Sequence, residues 1–113
     1  MTSLQKHRQS AFIRQGGKCC YCGFAMWQES PESFAAHHGI SVKQARFFQC
    51  TAEHLHARQD GGGDSRSNIA AACIRCNQLR HARKVAMSPE RYQCHVQKRI
   101  KKGGWHIARL ASS

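Results

Sequence analysis

The sequence predicts a small α+β domain. Residues 50–84 read as strand, loop, strand and helix, two C-x-x-C pairs lie at Cys19/Cys22 and Cys73/Cys76, and the flanking segments carry helix start and stop signals. At 113 residues the chain has the length of one ordinary domain, expected to span 1–113. With 41% apolar residues it can fold, but so small a domain buries a limited share of its surface and gains from a metal or disulfide staple.

The first helix is expected over Ser3 to Gln15, with Leu4, Ala11, Phe12 and Ile13 among polar residues and Gly16-Gly17 as its stop. Lys18 to Gly23 then reads as a metal knuckle, because a glycine after the second cysteine accepts the positive φ of a tight turn. An insert over 24–49 carries two short helices. Ser30 is the N-cap of the first, Pro31 its first residue and Gly39 its end; Ser41 and Gln44 form a capping box for the second, with Val42, Ala45, Phe47 and Phe48 as buried positions. This pair reads as a helical hairpin covering the core, with a base-reading helix-turn-helix as the alternative. His37 and His38 are expected to be exposed.

A short strand is expected over Cys50 to His56, a loop over Gln59 to Ser67, a second strand over Ile69 to Ala72, and a helix from Arg75 to Lys84. The last helix, 88–102, starts at Ser88-Pro89, places Tyr92, Val96 and Ile100 on one face, and stops at Gly103-Gly104. Trp105 is expected to dock into the core.

Seven cysteines is an odd number, two pairs sit as C-x-x-C, and no apolar run with a small-residue cleavage site opens the chain. A secreted disulfide framework fits poorly, and zinc in a reducing cytosol fits better. Cys19, Cys22, Cys73 and Cys76 supply the four thiolates of a tetrahedral, closed and therefore structural zinc site. Cys20 is spare, and Cys50 and Cys94 read as small buried hydrophobes.

Lys and Arg number 18 against 6 Asp and Glu, a net charge of +12. Such a surface attracts any polyanion, but no amphipathic membrane helix accompanies it and no stretch approaches the roughly 20 apolar residues of a membrane span. Nucleic acid is the expected partner. Lys98, Arg99, Lys101 and Lys102 gather at a helix end, where they suit the dipole and equally suit phosphate contact; Arg80, Arg83 and Lys84 are further candidate contacts.

Phosphodiester hydrolysis needs a water, a base and a cation that stabilises the phosphorane and the leaving oxygen. His54 is the candidate base, since a neutral imidazole takes a proton near pH 7. Adjacent strand residues point to opposite faces, so a distorted strand end is needed to aim both Glu53 and His54 into one cleft. Asn77 and His81 are one helical turn apart on a shared face. With Glu53 they form an oxygen- and nitrogen-rich set suited to Mg²⁺ or Mn²⁺.

The segments G-K-C-C-Y-C-G at 17–23, E-H at 53–54, G-G-G-D-S-R-S-N at 61–68 and C-I-R-C-N-Q-L-R-H-A-R-K at 73–84 together resemble the HNH endonuclease family, in its four-cysteine zinc subtype. The resemblance covers about 17–23 and 51–84. It implies a ββα-metal (His-Me finger) core and an endonuclease acting on duplex DNA, with His54 as general base and Asn68 as the asparagine that fixes the loop and orients it. It further implies Glu53 and Asn77 as catalytic-site metal ligands, His81 as an additional ligand and Arg58 as a phosphate contact. Asn77 stands where the name-giving pattern has His, and Glu53 where Asp or His is commoner. A non-catalytic zinc-stapled nucleic-acid-binding module is the alternative. The expected setting is the cytoplasm of a bacterium or a phage-infected cell, as a monomer or homodimer.

Overall fold

A computed structural model describes residues 1–110; the last three residues of the expected domain lie outside the described residues. Helix α1, Ser3–Arg14, begins at a capping box in which Thr2 accepts from the Gln5 N–H and Gln5 answers to the Thr2 N–H. It ends on Gly16 and Gly17, both at positive φ. Beyond the expected elements, α1 lies across the sheet. Ala11 is fully buried there, and the Gln15 side chain bonds both the C=O and the N–H of Ala71 at 2.9 and 3.0 Å.

Helices α2, Pro31–His38, and α3, Val42–Ala45, start at the serine caps that the sequence marks, and Gly39 closes α2 in the left-handed region. A 3₁₀ turn at Arg46–Phe48 follows α3. Phe34, Ala35, Ala45 and Phe48 form a small second core, joined by Ala108 from the C-terminal segment. Two expectations fail here. Val42 and Phe47 are exposed, because α3 lasts a single turn and the tighter 3₁₀ winding turns Phe48, and not its neighbour, inward. His38 is buried, its ring 4.3 Å from that of Phe34.

Strands β1, Cys50–His54, and β2, Ile69–Cys73, form a two-stranded antiparallel sheet in which Cys50 faces Cys73, Glu53 faces Ala70 and His54 faces Ile69. The first strand is two residues shorter than the expected Cys50 to His56. Helix α4, Ile74–His81, follows β2 directly, with the Cys73 sulfur accepting from the Cys76 N–H as the cap. It stops at His81 instead of reaching Lys84.

Helix α5, Pro89–Lys101, is capped by Ser88 and buries Tyr92 and Val96. Trp105 folds back into the main core with Cys19, Cys22, Cys73 and Cys76. No helix among the described residues is long and apolar enough to cross a membrane.

Candidate active site and metal centre

The main core is organised on sulfur. Cys19, Cys22, Cys73 and Cys76 are all buried, and their four sulfurs lie within 4.8 Å of one another. A tetrahedral shell with Zn–S near 2.3 Å separates its sulfurs by about 3.8 Å, and Cys22 and Cys73 stand 3.9 Å apart. Sulfur acceptors are also supplied with donors: Cys19 takes the N–H of Tyr21 at 3.4 Å and of Cys73 at 3.3 Å, and Cys76 takes the Trp105 indole N–H at 3.3 Å.

Hydrogen bonding with Cys20 first, then with Cys22, Cys73 and Cys76, pushes the Cys19 thiol strongly down. Bonding with Cys19 pushes Cys20, Cys73 and Cys76 up. The close grouping of four buried sulfurs is what lets these residues hold a zinc ion. Of the remaining cysteines, Cys50 is buried as expected, and burial pushes its thiol up to about 11. Cys94 is exposed on the outer face of α5, contrary to the expectation that it is a buried hydrophobe.

Glu53 and His54, adjacent on β1, part company. Glu53 is buried and does not line the cleft, whereas His54 is half-buried and does. Glu53 is 0% exposed. Its Oε2 accepts from the Tyr21 hydroxyl at 2.7 Å and from Arg80 Nη1 at 3.0 Å, and its Oε1 meets His81 Nε2 at 2.7 Å. Burial, and then the Glu53 charge, push the Tyr21 phenol above its ordinary value, so it stays a donor.

His54 instead faces a cleft of about 700 Å³ lined also by Arg8, Thr51, Arg58, Asn77 and His81. His54 Nε2 lies 2.7 Å from Asp64 Oδ1 and 3.2 Å from Arg58 Nε. A ring nitrogen that carries hydrogen donates to Asp64 and cannot also accept from Arg58, and Arg58 has its own bond from Nη2 to Asp64 at 3.2 Å. In the tautomer that carries hydrogen on Nε2, Nδ1 is the acceptor nitrogen of the ring.

The loop between the strands is pinned by Asn68. Its Oδ1 accepts from the His56 N–H at 2.7 Å, and its Nδ2 donates to the His56 carbonyl at 3.1 Å and to the Gly63 carbonyl at 2.8 Å. Gly62 packs so closely that a Cβ there would sit 1.7 Å from the His56 oxygen, which leaves no space for any other residue. His56 itself is exposed.

From α4, Asn77 and His81 both reach the cleft, and Asn77 Nδ2 donates to Thr51 Oγ1 at 3.0 Å and to the Ala52 carbonyl at 3.1 Å. Glu53 Oε1 and His81 Nε2 are in direct contact, and Asn77 lines the same cleft as His81; a carboxylate, an imidazole and an amide are groups that divalent ions accept. Arg80 is a correction. At 2% exposure it is not a nucleic-acid contact; its guanidinium is spent on Glu53, the carbonyls of His54 and Leu55, and that of Met87. The other basic candidates, Arg58, Arg83, Lys84, Lys98, Arg99, Lys101 and Lys102, are exposed.

Sequence reasoning missed Asp64, Tyr21 and the α1 contribution of Gln5 and Arg8 to the cleft. Asp64 had one available signal, a lone acid in a glycine loop beside the candidate base. Tyr21 and Arg8 had none, since their partners are distant in sequence.

Two antiparallel strands, an intervening loop and a following helix, beside four clustered cysteines, form a small α+β unit consistent with the ββα-metal HNH fold. Residues 44–83 match the HNH endonuclease family model, a match that supports a nuclease-type activity on nucleic acid. The match takes in β1, the loop, β2 and α4, and leaves out Cys19, Cys22, Tyr21, α1 and α5. No curated protein and no solved structure matches the chain.

Proposed function

We propose that the chain is a metal-dependent endonuclease that hydrolyses phosphodiester bonds of duplex DNA. The observation that supports this most directly is the convergence of His54, Arg58, Asn77 and His81 on one cleft inside the HNH match. His54 takes the proton of the attacking water, and Asp64 and Asn68 hold its ring and its loop. Glu53, Asn77 and His81 are the residues that would hold Mg²⁺ or Mn²⁺. When bound, such an ion supplies Lewis-acid stabilisation of the phosphoryl and leaving-group oxygens.

Arg58, 62% exposed in its side chain and beside the base, meets the scissile phosphate. Arg83, Lys84, Lys98, Arg99, Lys101 and Lys102 supply the sequence-independent attraction to the backbone, so binding weakens steeply as salt rises. Zinc at the four cysteines is structural. Work in the cytoplasm accords with seven free cysteines.

Supercoiled plasmid incubated with Mg²⁺, Mn²⁺ or EDTA tests this reading. Nicking or linearisation is expected with the divalent ions alone, and His54→Ala is expected to slow it by about 10²- to 10⁴-fold while still binding DNA. Equal behaviour of wild type and variant under every metal would falsify it.

A further inference from the structure

Tyr21 lies between Cys19 and Cys22, yet its side chain leaves the sulfurs and crosses to β1, where the hydroxyl donates to Glu53 Oε2 at 2.7 Å. Arg80 takes the same oxygen at 3.0 Å, whereas Oε1 is turned to His81 at 2.7 Å. Both side chains of the Tyr21–Glu53 bond are buried, at 2% and 0% exposure, so water does not stand in for either group.

The backbone of Tyr21 is held as firmly as the ring. Its N–H goes to the Cys19 sulfur, and its carbonyl accepts from Gln97 Nε2 at 2.8 Å. The ring packs edge-on against Tyr92 at 4.9 Å, with the Arg80 guanidinium 6.0 Å from its centroid. Phenylalanine would serve those packing contacts equally well. A buried hydroxyl is costly unless bonded, and the acceptor of this one is Glu53.

We propose that Tyr21 is a positioning residue for the divalent-ion site: by occupying Glu53 Oε2 it presents Oε1 toward His81, and so couples the cysteine knuckle to the catalytic cleft. The inference rests on Glu53, Asn77 and His81 being the ion's ligands. Cysteine coordination orders the knuckle, the knuckle orders the phenol, and the phenol fixes the carboxylate. Partners of this kind, one bond removed from an ion, commonly alter its affinity by about 10- to 100-fold.

The test measures Mn²⁺ affinity of the zinc-loaded full chain from the free-ion electron paramagnetic resonance signal, for wild type, Tyr21→Phe and Tyr92→Phe. The second variant is the control: Tyr92 loses an equally buried bond, 2.7 Å to the Cys76 carbonyl, that does not touch Glu53. Tyr21→Phe is expected to bind Mn²⁺ about tenfold more weakly at unchanged zinc content, with Tyr92→Phe close to wild type. Equal affinity in wild type and Tyr21→Phe overturns the proposal, as does equal weakening in both variants. A wild type that binds no Mn²⁺ fails the ion-site reading first and takes this inference with it.

A measurement on the unaltered chain stands apart from any folding defect of the variants. With only two tyrosines, ring-carbon labelling gives two ¹³Cζ resonances. Saturation with Mg²⁺ is expected to move that of Tyr21 and leave that of Tyr92, and a Tyr21 resonance that stays in place overturns the proposal.

Discussion

The cysteine centre and the cleft are built on the same helix and differ in almost every physical respect. Cys73 and Cys76 sit at the start of α4, Asn77 and His81 one and two turns along it. At the first end, four buried sulfurs face one another and receive N–H donors from backbone and indole. At the second, polar side chains meet across an open cleft, and His81 is 27% exposed. A closed set of soft ligands serves stability, and an open set of hard ones leaves positions for water and substrate. Between them runs the Tyr21–Glu53–Arg80 network, which is as buried as the centre.

The largest effect expected from this contrast follows removal of a sulfur. Binding free energy at structural zinc sites in small domains is about 10–16 kcal/mol and is folding free energy, so Cys73→Ala is expected to lose its cooperative thermal transition by circular dichroism. His81→Ala, which takes one bond from the buried Glu53 carboxylate, should keep a cooperative transition at a lower midpoint. Similar melts for both variants would erase the distinction between the two ends.

Next comes Arg80. Arg80→Met strands a fully buried carboxylate, and loss of one partner of a buried ion pair costs about 3–5 kcal/mol, read as a lower urea midpoint. Arg83→Ala, on the exposed face, is expected to stay within about 0.5 kcal/mol and to weaken DNA binding instead. A stable Arg80→Met with weakened DNA binding would return Arg80 to the nucleic-acid surface.

Asn68→Ala removes three hydrogen bonds to the His56 and Gly63 backbone. The expected cost is about 1–3 kcal/mol, with faster amide exchange at His56 and slower plasmid nicking. Unchanged exchange at His56 would show that the loop holds itself.

The smallest effect is acidic. Hydrogen bonding with His54 first, and then with Arg58, holds the Asp64 carboxyl below its ordinary value. A lowered folded value means that the contribution to stability is present above the unfolded carboxylate value, near 3.9, and is lost as pH falls through the folded one. Urea midpoints of wild type and Asp64→Asn should separate slightly above about pH 4 and converge in stronger acid. A gap that widens in acid would reverse the assignment.

How far the structure was legible depends on the range of each interaction. Capping by Ser30, Ser41 and Ser88 spans three residues, so each start could be read from the chain itself. The four-cysteine set was legible because ligand spacing within each knuckle is short. Val42, Phe47 and His38 were misread because exposure there depends on how a one-turn helix gives way to a 3₁₀ turn and on which ring packs opposite. Arg80 was misread because its charge is visible in sequence and its partners are not; the Glu53 contact spans 27 residues.

By itself, then, the sequence determined the element order, the caps, the cysteine frame, the placing of Asn77 and His81 on one helical face, and the basic charge. These depend on neighbours a few residues apart, or on composition. Only the tertiary structure decided that Glu53 turns inward while His54 opens to the cleft, that Asp64 meets the histidine, and that Tyr21 carries the knuckle to the carboxylate. Each of those outcomes is a competition among buried polar groups for a limited number of partners, and it is resolved only when distant segments are packed together.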